Sequence, residues 1–285
     1  MAENGLTETY RGDVEAWECD SFGHMNIAFY GERFGDAAAS LLFAHAPNRS
    51  WRSTSLFVRY LKELREGESV TIGSAVIGTS EVNKGERVAR IGHEMRQSDG
   101  QICTVAEHAL APFDAKMRGT LTKTLDGKAG PWKSEGFAAI ALPVKHGPYP
   151  TIRDRVKSWE VDERGRLSLF GHVRRFSTAS GHLMNMVGLT ADYIHKAKRG
   201  FATFETRLAL APFQPGAGAE VAGSSGLMKV GNSSVVMIHD LIEVRNGERI
   251  ARFYQAGVHF DLDKREGAPL PDDLRAKAMT MLIKD

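Results

Sequence analysis

Residues 17–30 of the chain, WECDSFGHMNIAFY (Trp17 to Tyr30), decide the fold. They read as the end of a strand, a tight polar turn and the first turn of a long helix. Turn and capping residues crowd into the middle of the stretch, at Asp20, Gly23, His24 and Asn26. From there apolar residues recur at helical spacing, at Ile27, Tyr30, Phe34, Ala37, Ala38, Leu41 and Leu42. We therefore predict a long helix that begins near Ile27, runs to about Phe43 and buries one face.

A carboxylate and an imidazole lie beside the predicted N-terminus of this helix. The backbone N–H groups at a helix N-terminus are free and favour negative charge. Such a place stabilises an oxyanion, and Asp20 or His24 would supply an acid or a base. A second interpretation stays open, in which Asp20 forms an Asx-turn and His24 is a capping side chain that only orients the loop.

The run DSFGHMN at residues 20–26, with Tyr30 following, resembles the D-x-x-G-H-(M/V)-N motif of hotdog-fold thioesterases. This superfamily includes the 4-hydroxybenzoyl-CoA thioesterase-like enzymes and the acyl-ACP thioesterases. The resemblance implies an α+β fold in which a curved antiparallel sheet wraps a long helix that the motif opens. It also implies that Asp20 is a catalytic base or nucleophile and that His24 matches a catalytic histidine. The family's Asn between these two positions is replaced here by Phe22.

The same resemblance identifies a second carboxylate. The segment from Tyr60 to Leu64 matches the acyl-ACP thioesterase strand that carries a catalytic glutamate, which here is Glu63. A glutamate in a strand that otherwise reads as buried is costly unless it is paired or functional. The alternative is a strand-end residue in water.

The remaining site residues are predicted to bind substrate. Gly23 would let a substrate carbonyl approach the backbone N–H of His24 or Met25. Asn26 would fix the loop by side-chain bonds to the backbone, although it and Gly23 also fit as plain turn residues. Arg174 and Arg175 are candidates for a phosphate contact, and the alternative for them is a solvated basic pair.

The chain repeats itself, which indicates two copies of one fold unit. The helix is followed by four predicted strands in meander order, with a hairpin turn at residues 98–100. A matching turn at Asn246-Gly247 is displaced by 147 residues from Asp99-Gly100, and the run SGHLMN at 180–185 echoes GHMN at 23–26 at a shift of about 158.

We therefore predict a tandem (double) hotdog with four segments. These are a first unit over residues 1–118, a linker over 119–164, a second unit over 165–263, and a C-terminal helix over 264–285. In this alignment Asp20 falls opposite Thr178 or Ala179, and Glu63 falls opposite Ala211. The second unit is thus predicted to be a degenerate copy without either acid.

Composition narrows the class of protein. The 285 residues are 42% hydrophobic and 25% charged, as is typical of a globular protein with a core. A net charge of +2 gives no reason to expect nucleic-acid binding. Cys19 and Cys103 fit neither a disulfide framework nor a zinc site. Because there is no signal-peptide pattern and no apolar run of about eighteen residues, we expect a cytoplasmic protein without a membrane partner.

Together these features predict an acyl thioester hydrolase that uses a carboxylate and an oxyanion hole at a helix N-terminus. Such a reaction needs no metal and no cofactor. The expected partner is an acyl thioester of CoA or of acyl carrier protein, and a homodimer of double-hotdog chains is an option. Two alternatives remain. One is a hotdog hydratase or dehydratase, whose usual motif spaces Asp and His five apart around Asn-Pro rather than four apart as at Asp20 and His24. The other is a non-catalytic acyl-thioester binding protein.

Overall fold

The computed structural model describes residues 5–45, 50–82, 86–113 and 146–284 of the chain. It divides into two units, Met1–Ile140 and Ala141–Asp285. Each unit combines one long helix with an antiparallel sheet, so the predicted α+β tandem hotdog is confirmed.

The described part of the first unit has one helix and five strands, and the predicted meander order is wrong for one of them, because β2 (Trp51–Tyr60) pairs with β5 (Ile102–Pro112) and not with β3 (Ser69–Val82). Its sheet runs in the order β1-β3-β4-β5-β2, with antiparallel neighbours throughout. Ala38, Leu41 and Leu42 of the helix pack on the sheet to form the core, against residues such as Ile91 and Leu110. The elements are β1 (Thr7–Asp13), a 3-10 turn (Ala16–Glu18), α1 (Ile27–His45), β2 (Trp51–Tyr60), β3 (Ser69–Val82), β4 (Glu86–Gln97) and β5 (Ile102–Pro112).

Helix α1 begins at the residue that the apolar spacing predicts. Asn26 caps it, because its side-chain Oδ1 accepts a hydrogen bond from the Ala28 N–H at 3.0 Å. The predicted apolar stripe is buried from Tyr30 to Leu42, whereas Ile27 is only half-buried. The cap and the stripe together fix where the motif loop meets the helix.

The second unit repeats this plan and adds two short helices. Its sheet runs in the order β7-β10-β9-β8-β6, and β11 pairs with β10. Ser168 caps the long helix and Gly188, with a φ of 117°, ends it in a left-handed conformation. The elements are β6 (Tyr149–Arg155), a 3-10 turn (Ser158–Glu160), α2 (Leu169–Val187), α3 (Ala191–Ala197), β7 (Arg199–Leu210), β8 (Glu220–Val230), β9 (Ser234–Glu243), β10 (Arg249–Asp261), β11 (Glu266–Gly267) and α4 (Asp272–Thr280).

The predicted linker over residues 119–164 is wrong in its second part. Strand β6 lies inside it, so the second unit begins earlier in the chain than predicted. Pro148 and Pro150 suggested a loop, but β6 pairs only with β8 at the edge of the sheet, where a proline is tolerated. Residues 119–145 of the predicted linker lie outside the described residues. The C-terminal helix predicted over 264–285 is shorter than predicted, because α4 spans Asp272–Thr280 and strand β11 (Glu266–Gly267) precedes it.

The predicted alignment of the two helices is also wrong. Helices α1 and α2 each have 19 residues and begin at Ile27 and Leu169, so the two units are related here by a shift of 142, not 158. The run SGHLMN, which suggested the second motif, lies in the C-terminal half of α2. The segment that matches the motif is Asp162–Ser168, and the pattern W-E-x-D-x-x-G occurs in both units, from Trp17 and from Trp159.

Candidate active site

The motif loop is an Asx-turn built on Asp20. Its Oδ1 accepts hydrogen bonds from the Phe22 N–H at 2.8 Å and from the His24 N–H at 3.1 Å. Gly23 has a φ of +72°, a left-handed conformation that glycine adopts without strain. Asp20 itself is exposed to solvent. The structure therefore gives Asp20 the turn-forming role that was one of its two interpretations.

The backbone donors of this loop are mostly used in the fold. The His24 N–H is bonded to Asp20, and the Met25 N–H donates to the Leu64 carbonyl at 2.8 Å. The prediction that one of these two groups receives a substrate carbonyl is therefore wrong. The first donor of α1 itself is the Ile27 N–H, which has no hydrogen bond within the described residues.

The structure brings His24 and Glu63 together from positions 39 residues apart in the sequence. His24 Nε2 lies 3.3 Å from Glu63 Oε2, and the two side chains are only 15% and 27% exposed. The bond between Met25 N–H and the Leu64 carbonyl fixes the two segments side by side. An imidazole in contact with a carboxylate, both partly shielded from water, can exchange a proton with a substrate.

The prediction that Glu63 lies in a strand is wrong. Strand β2 ends at Tyr60, and the next two N–H groups, of Leu61 and Lys62, both donate to the Cys103 carbonyl, at 2.9 and 3.0 Å. The regular ladder stops at this point because two residues of one strand share a single partner. The chain then turns, and Glu63 lies on the turn and not in the sheet.

The second unit has the same turn but lacks the acid–base pair. Asp162 Oδ1 accepts from the N–H groups of Arg164 and Arg166 at 2.9 and 3.0 Å, and Gly165 has a φ of +73°. The prediction that no carboxylate lies opposite Asp20 is therefore wrong. His24, however, is matched by Arg166, whose Nη2 lies 2.5 Å from Asp162 Oδ2.

Gln214 takes the position of Glu63 in the second unit. The Leu167 N–H donates to the Pro215 carbonyl at 2.8 Å, as Met25 does to Leu64, so Gln214 corresponds to Glu63. The predicted match of Glu63 with Ala211 is thus corrected. The Gln214 side chain bonds to His172 Nε2 at 2.7 Å and to the Ala211 and Ile250 carbonyls at 2.8 and 2.9 Å. It has a structural role and offers no group that takes up a proton at neutral pH.

Asp20 and Asp162 form a matched pair for testing the turn. Asparagine keeps the accepting oxygen, so we expect Asp20→Asn to retain activity within a few-fold, whereas Asp20→Ala loses the turn and about 1 kcal/mol of stability. Asp162→Ala should cost similar stability without lowering turnover. The measurements are steady-state kinetics and thermal unfolding. A loss of a hundredfold or more in Asp20→Asn with unchanged stability would show that the carboxylate itself is catalytic.

Arg174 and Arg175, the predicted phosphate contacts, lie in an internal ion-pair network. Arg175 is 1% exposed and its Nη2 contacts Glu160 Oε2 at 2.8 Å, so it has no surface for a phosphate and the prediction is wrong for this residue. Arg174 is more exposed, but it contacts Glu160 and Asp154 at 2.6 and 2.8 Å. Burial pushes the pKa of Glu160 up, but the hydrogen bonds from Arg175 and Lys157 outweigh it, and the pKa is lowered.

Sequence reasoning missed the same network in the first unit. Arg33 Nη2 contacts Glu18 Oε2 at 2.7 Å, with side-chain exposures of 3% and 7%. In each unit the glutamate also accepts from the backbone before the motif loop, at Glu15 N and at Lys157 N, both at 2.8 Å. The signal was in the sequence, because Glu18 and Arg33 recur as Glu160 and Arg175 at the shift of 142.

We expect Glu160→Ala to lower the free energy of unfolding by about 3–5 kcal/mol, because it removes the fully buried partner of the Arg175 charge and leaves only Asp154, at 3.0 Å. Glu163→Ala, at an exposed position on the same turn, is the control and should change stability little. Denaturant titration of both variants measures the difference. Equal stabilities would mean that the buried pair does not hold the loop.

Two structural observations concern other classes of site. Within the described residues, no three His, Cys, Asp or Glu side chains come together as a metal ion would require. Among the helices of those residues, none is both long and apolar enough to cross a membrane.

The repeated helix-on-sheet units and the loop that opens each helix define a tandem hotdog protein of the thioesterase class. The model of the thioesterase-like superfamily matches residues 14–141 and again residues 156–278. The chain belongs to this superfamily. The two matched segments begin 142 residues apart, the shift that relates α1 to α2. A search of curated proteins finds no match.

Solved structures share the fold over most of the chain. An acyl-ACP thioesterase from Bacteroides thetaiotaomicron has a TM-score of 0.62 at 13% identity, covering 90% of this chain and 98% of its own. A putative oleoyl thioesterase from Lactobacillus plantarum has 0.63 at 12%, with the same coverage. The 12:0-ACP thioesterase from Umbellularia californica has 0.59 at 12%, covering 90% and 94%. At these identities the likeness shows the fold alone.

Proposed function

We propose that this chain hydrolyses acyl thioesters at one site, in the first unit, with Glu63 and His24 as its acid–base pair. The observation that carries the proposal is the 3.3 Å contact between these two side chains beside the N-terminus of α1. The second unit has Gln214 and Arg166 at the same positions, which supports one site per chain. The exposed fraction of Glu63 is the larger of the two, so its carboxylate is the group that meets water.

The chemistry follows from these positions. Glu63 takes a proton from a water molecule, and the oxygen of that water bonds to the thioester carbonyl carbon. The carbonyl oxygen becomes an oxyanion, which the Ile27 N–H and the positive end of the α1 dipole stabilise. The carbon–sulfur bond then breaks, and the thiolate receives the proton that Glu63 took. His24 Nε2 lies 3.3 Å from the Glu63 carboxylate and orients it, and His24 keeps its own protons throughout. The products are a carboxylic acid and a free thiol.

Asp20 acts as a positioning residue in this proposal. Its Oδ1 holds the His24 backbone N–H, so it sets the angle at which the imidazole meets Glu63. The carrier of the acyl group is CoA or acyl carrier protein, and acyl carrier protein is the carrier for two of the structural neighbours, the thioesterases from Bacteroides thetaiotaomicron and Umbellularia californica. The reaction as written uses no metal and no cofactor, and we place it in the cytoplasm.

Release of free thiol from a panel of acyl-CoA and acyl-ACP thioesters tests the proposal. We expect turnover with an equimolar yield of thiol and carboxylic acid. A hydratase would change the acyl group and leave the thioester intact, and a binding protein would bind the ligand without turnover. Either outcome across the whole panel would overturn the proposal.

A further inference from the structure

The core of the first unit contains two fully buried imidazoles that each have one nitrogen without a hydrogen bond in the described residues. His93 Nδ1 bonds to Ser74 Oγ at 2.7 Å, and His108 Nε2 bonds to Ser53 Oγ at 2.8 Å. The remaining atoms, His93 Nε2 and His108 Nδ1, are buried without a partner. The ring centroids lie 6.1 Å apart. A buried polar atom left in this way destabilises the fold, so each one calls for an explanation.

The second unit shows what occupies the equivalent position there. Its His239 Nδ1 bonds to Ser225 Oγ at 2.6 Å, as His93 bonds to Ser74. Its other nitrogen, Nε2, lies 3.2 Å from the hydroxyl of Ser180 on α2. The same hydroxyl donates to the Phe176 carbonyl at 2.8 Å and contacts the side-chain oxygen of Gln255. Three polar groups of the second unit therefore converge on one hydroxyl oxygen.

Each of these three groups has a counterpart in the first unit, but the hydroxyl does not. The helix shift of 142 matches Phe176 with Phe34, and it matches Ser180 with Ala38. The strand register matches His239 with His93, and it matches Gln255 with His108. Burial lowers the pKa of His108, and a hydrogen-bonding contact with the Phe34 backbone opposes this effect, so the Phe34 carbonyl lies beside that ring.

We propose that the first unit binds one neutral, hydroxyl-sized oxygen among His93 Nε2, His108 Nδ1 and the Phe34 carbonyl, in the place of the Ser180 hydroxyl. An oxygen that both donates and accepts fits these three groups, and three partners is the usual number for an internal water. Burial lowers the pKa of His108 to about 4 and that of His93 well below its ordinary value, so both rings are neutral and offer no charge to an anion.

This oxygen has two sources, a water molecule or the hydroxyl of a hydroxylated acyl chain. The second source rests on the proposed hydrolase function. His108 pairs with Leu56, four residues before Tyr60 at the end of β2, which places the site about 14 Å along the strand from the turn that carries Glu63. A polar group well along a bound acyl chain would reach this depth, whereas the thioester end would remain at the turn.

A high-resolution crystal structure of the substrate-free chain tests the site independently of any activity. We expect one isolated density peak within about 3.2 Å of His93 Nε2, His108 Nδ1 and the Phe34 carbonyl. In Ala38→Ser the peak should be replaced by the serine hydroxyl. Ser180→Ala is the matched variant, and a new peak should appear beside His239. No peak in the wild-type chain, or a peak that persists unchanged in Ala38→Ser, would overturn the proposal.

Kinetics then separate the two sources. If the substrate supplies the oxygen, a hydroxyacyl thioester should exceed the unsubstituted thioester of equal length in kcat/KM by up to about tenfold, and Ala38→Ser should abolish the preference. Equal kcat/KM values together with the density peak identify water as the occupant. Absence of turnover with every thioester would overturn the proposed hydrolase function and leave the crystallographic test of the site intact.

Discussion

Replacing Glu63 with glutamine should lower kcat for thioester hydrolysis by about a hundredfold or more. The amide keeps the size of the side chain but cannot take a proton from water, and the loss of an acid–base group has this magnitude. KM should change little, because the carboxylate acts on water and not on the substrate carrier. The glutamate is partly exposed on a turn, so the melting temperature should stay close to that of the wild type.

Asp162→Asn is the control for this experiment. It makes a similar carboxylate-to-amide change in the second unit, where no acid–base pair is present, and it should leave kcat unchanged. Steady-state rates of thiol release for the two variants provide the comparison. The assignment of Glu63 would be wrong if Glu63→Gln kept its rate within about threefold of the wild type, the range of ordinary surface changes.

Acidification from pH 7 to pH 5 should destabilise both units strongly. Burial lowers the pKa of His108 to about 4 and the pKa values of His172 and His239 to about 3. These rings stay neutral in the folded chain, while in the unfolded chain they take up protons below about pH 6.5. Stability is therefore present above pH 6.5 and falls as the pH drops towards the folded pKa. Each ring contributes a loss of roughly 2 kcal/mol by pH 5.

Denaturant titrations at pH 7, 6 and 5 measure this effect. His108→Gln is the informative variant, because the second unit has Gln255 at the equivalent position. This variant should lose less stability between pH 7 and pH 5 than the wild type, by the amount that one histidine contributes. His195→Gln, at an exposed position of α3, should leave the pH dependence unchanged. A wild-type stability that is equal at pH 7 and pH 5 would show that these imidazoles are not kept neutral by the fold.

The sequence was sufficient to predict the class of fold and the position of the first helix. Apolar spacing fixed α1 within a few residues, because a helix that packs on a sheet must keep one face apolar. The hairpin turns at Gly100 and Gly247 were also found, since both positions have a positive φ that favours glycine. The His24–Glu63 contact could be named only through the family resemblance, because it depends on how the turn after β2 folds back onto the motif.

The position of the second copy of the motif was predicted wrongly, because a short similarity was preferred to a longer matching pattern. The echo around Gly181 and His182 placed the second motif inside α2, whereas the turn around Asp162 and Gly165 holds the true copy. Glycine and asparagine are accepted within a helix when packing favours it, so their presence alone does not mark a turn. The buried pair of Glu160 and Arg175 was missed for a related reason, since charged residues are expected at the surface unless their partner is known.

Titration of the purified chain with a non-hydrolysable acyl-CoA analogue, followed by calorimetry, tests most directly whether the protein has one working site. We expect one equivalent of ligand per chain, because among the described residues only the first unit combines a helix N–H without a hydrogen bond and the Glu63–His24 pair. The second unit has Gln214 and Arg166 committed to internal bonds. Two equivalent ligands per chain would contradict a single site in the first unit. A single ligand would also contradict it if binding were lost in a folded Gln214→Ala variant but kept in Ile27→Pro, which removes the helix N–H.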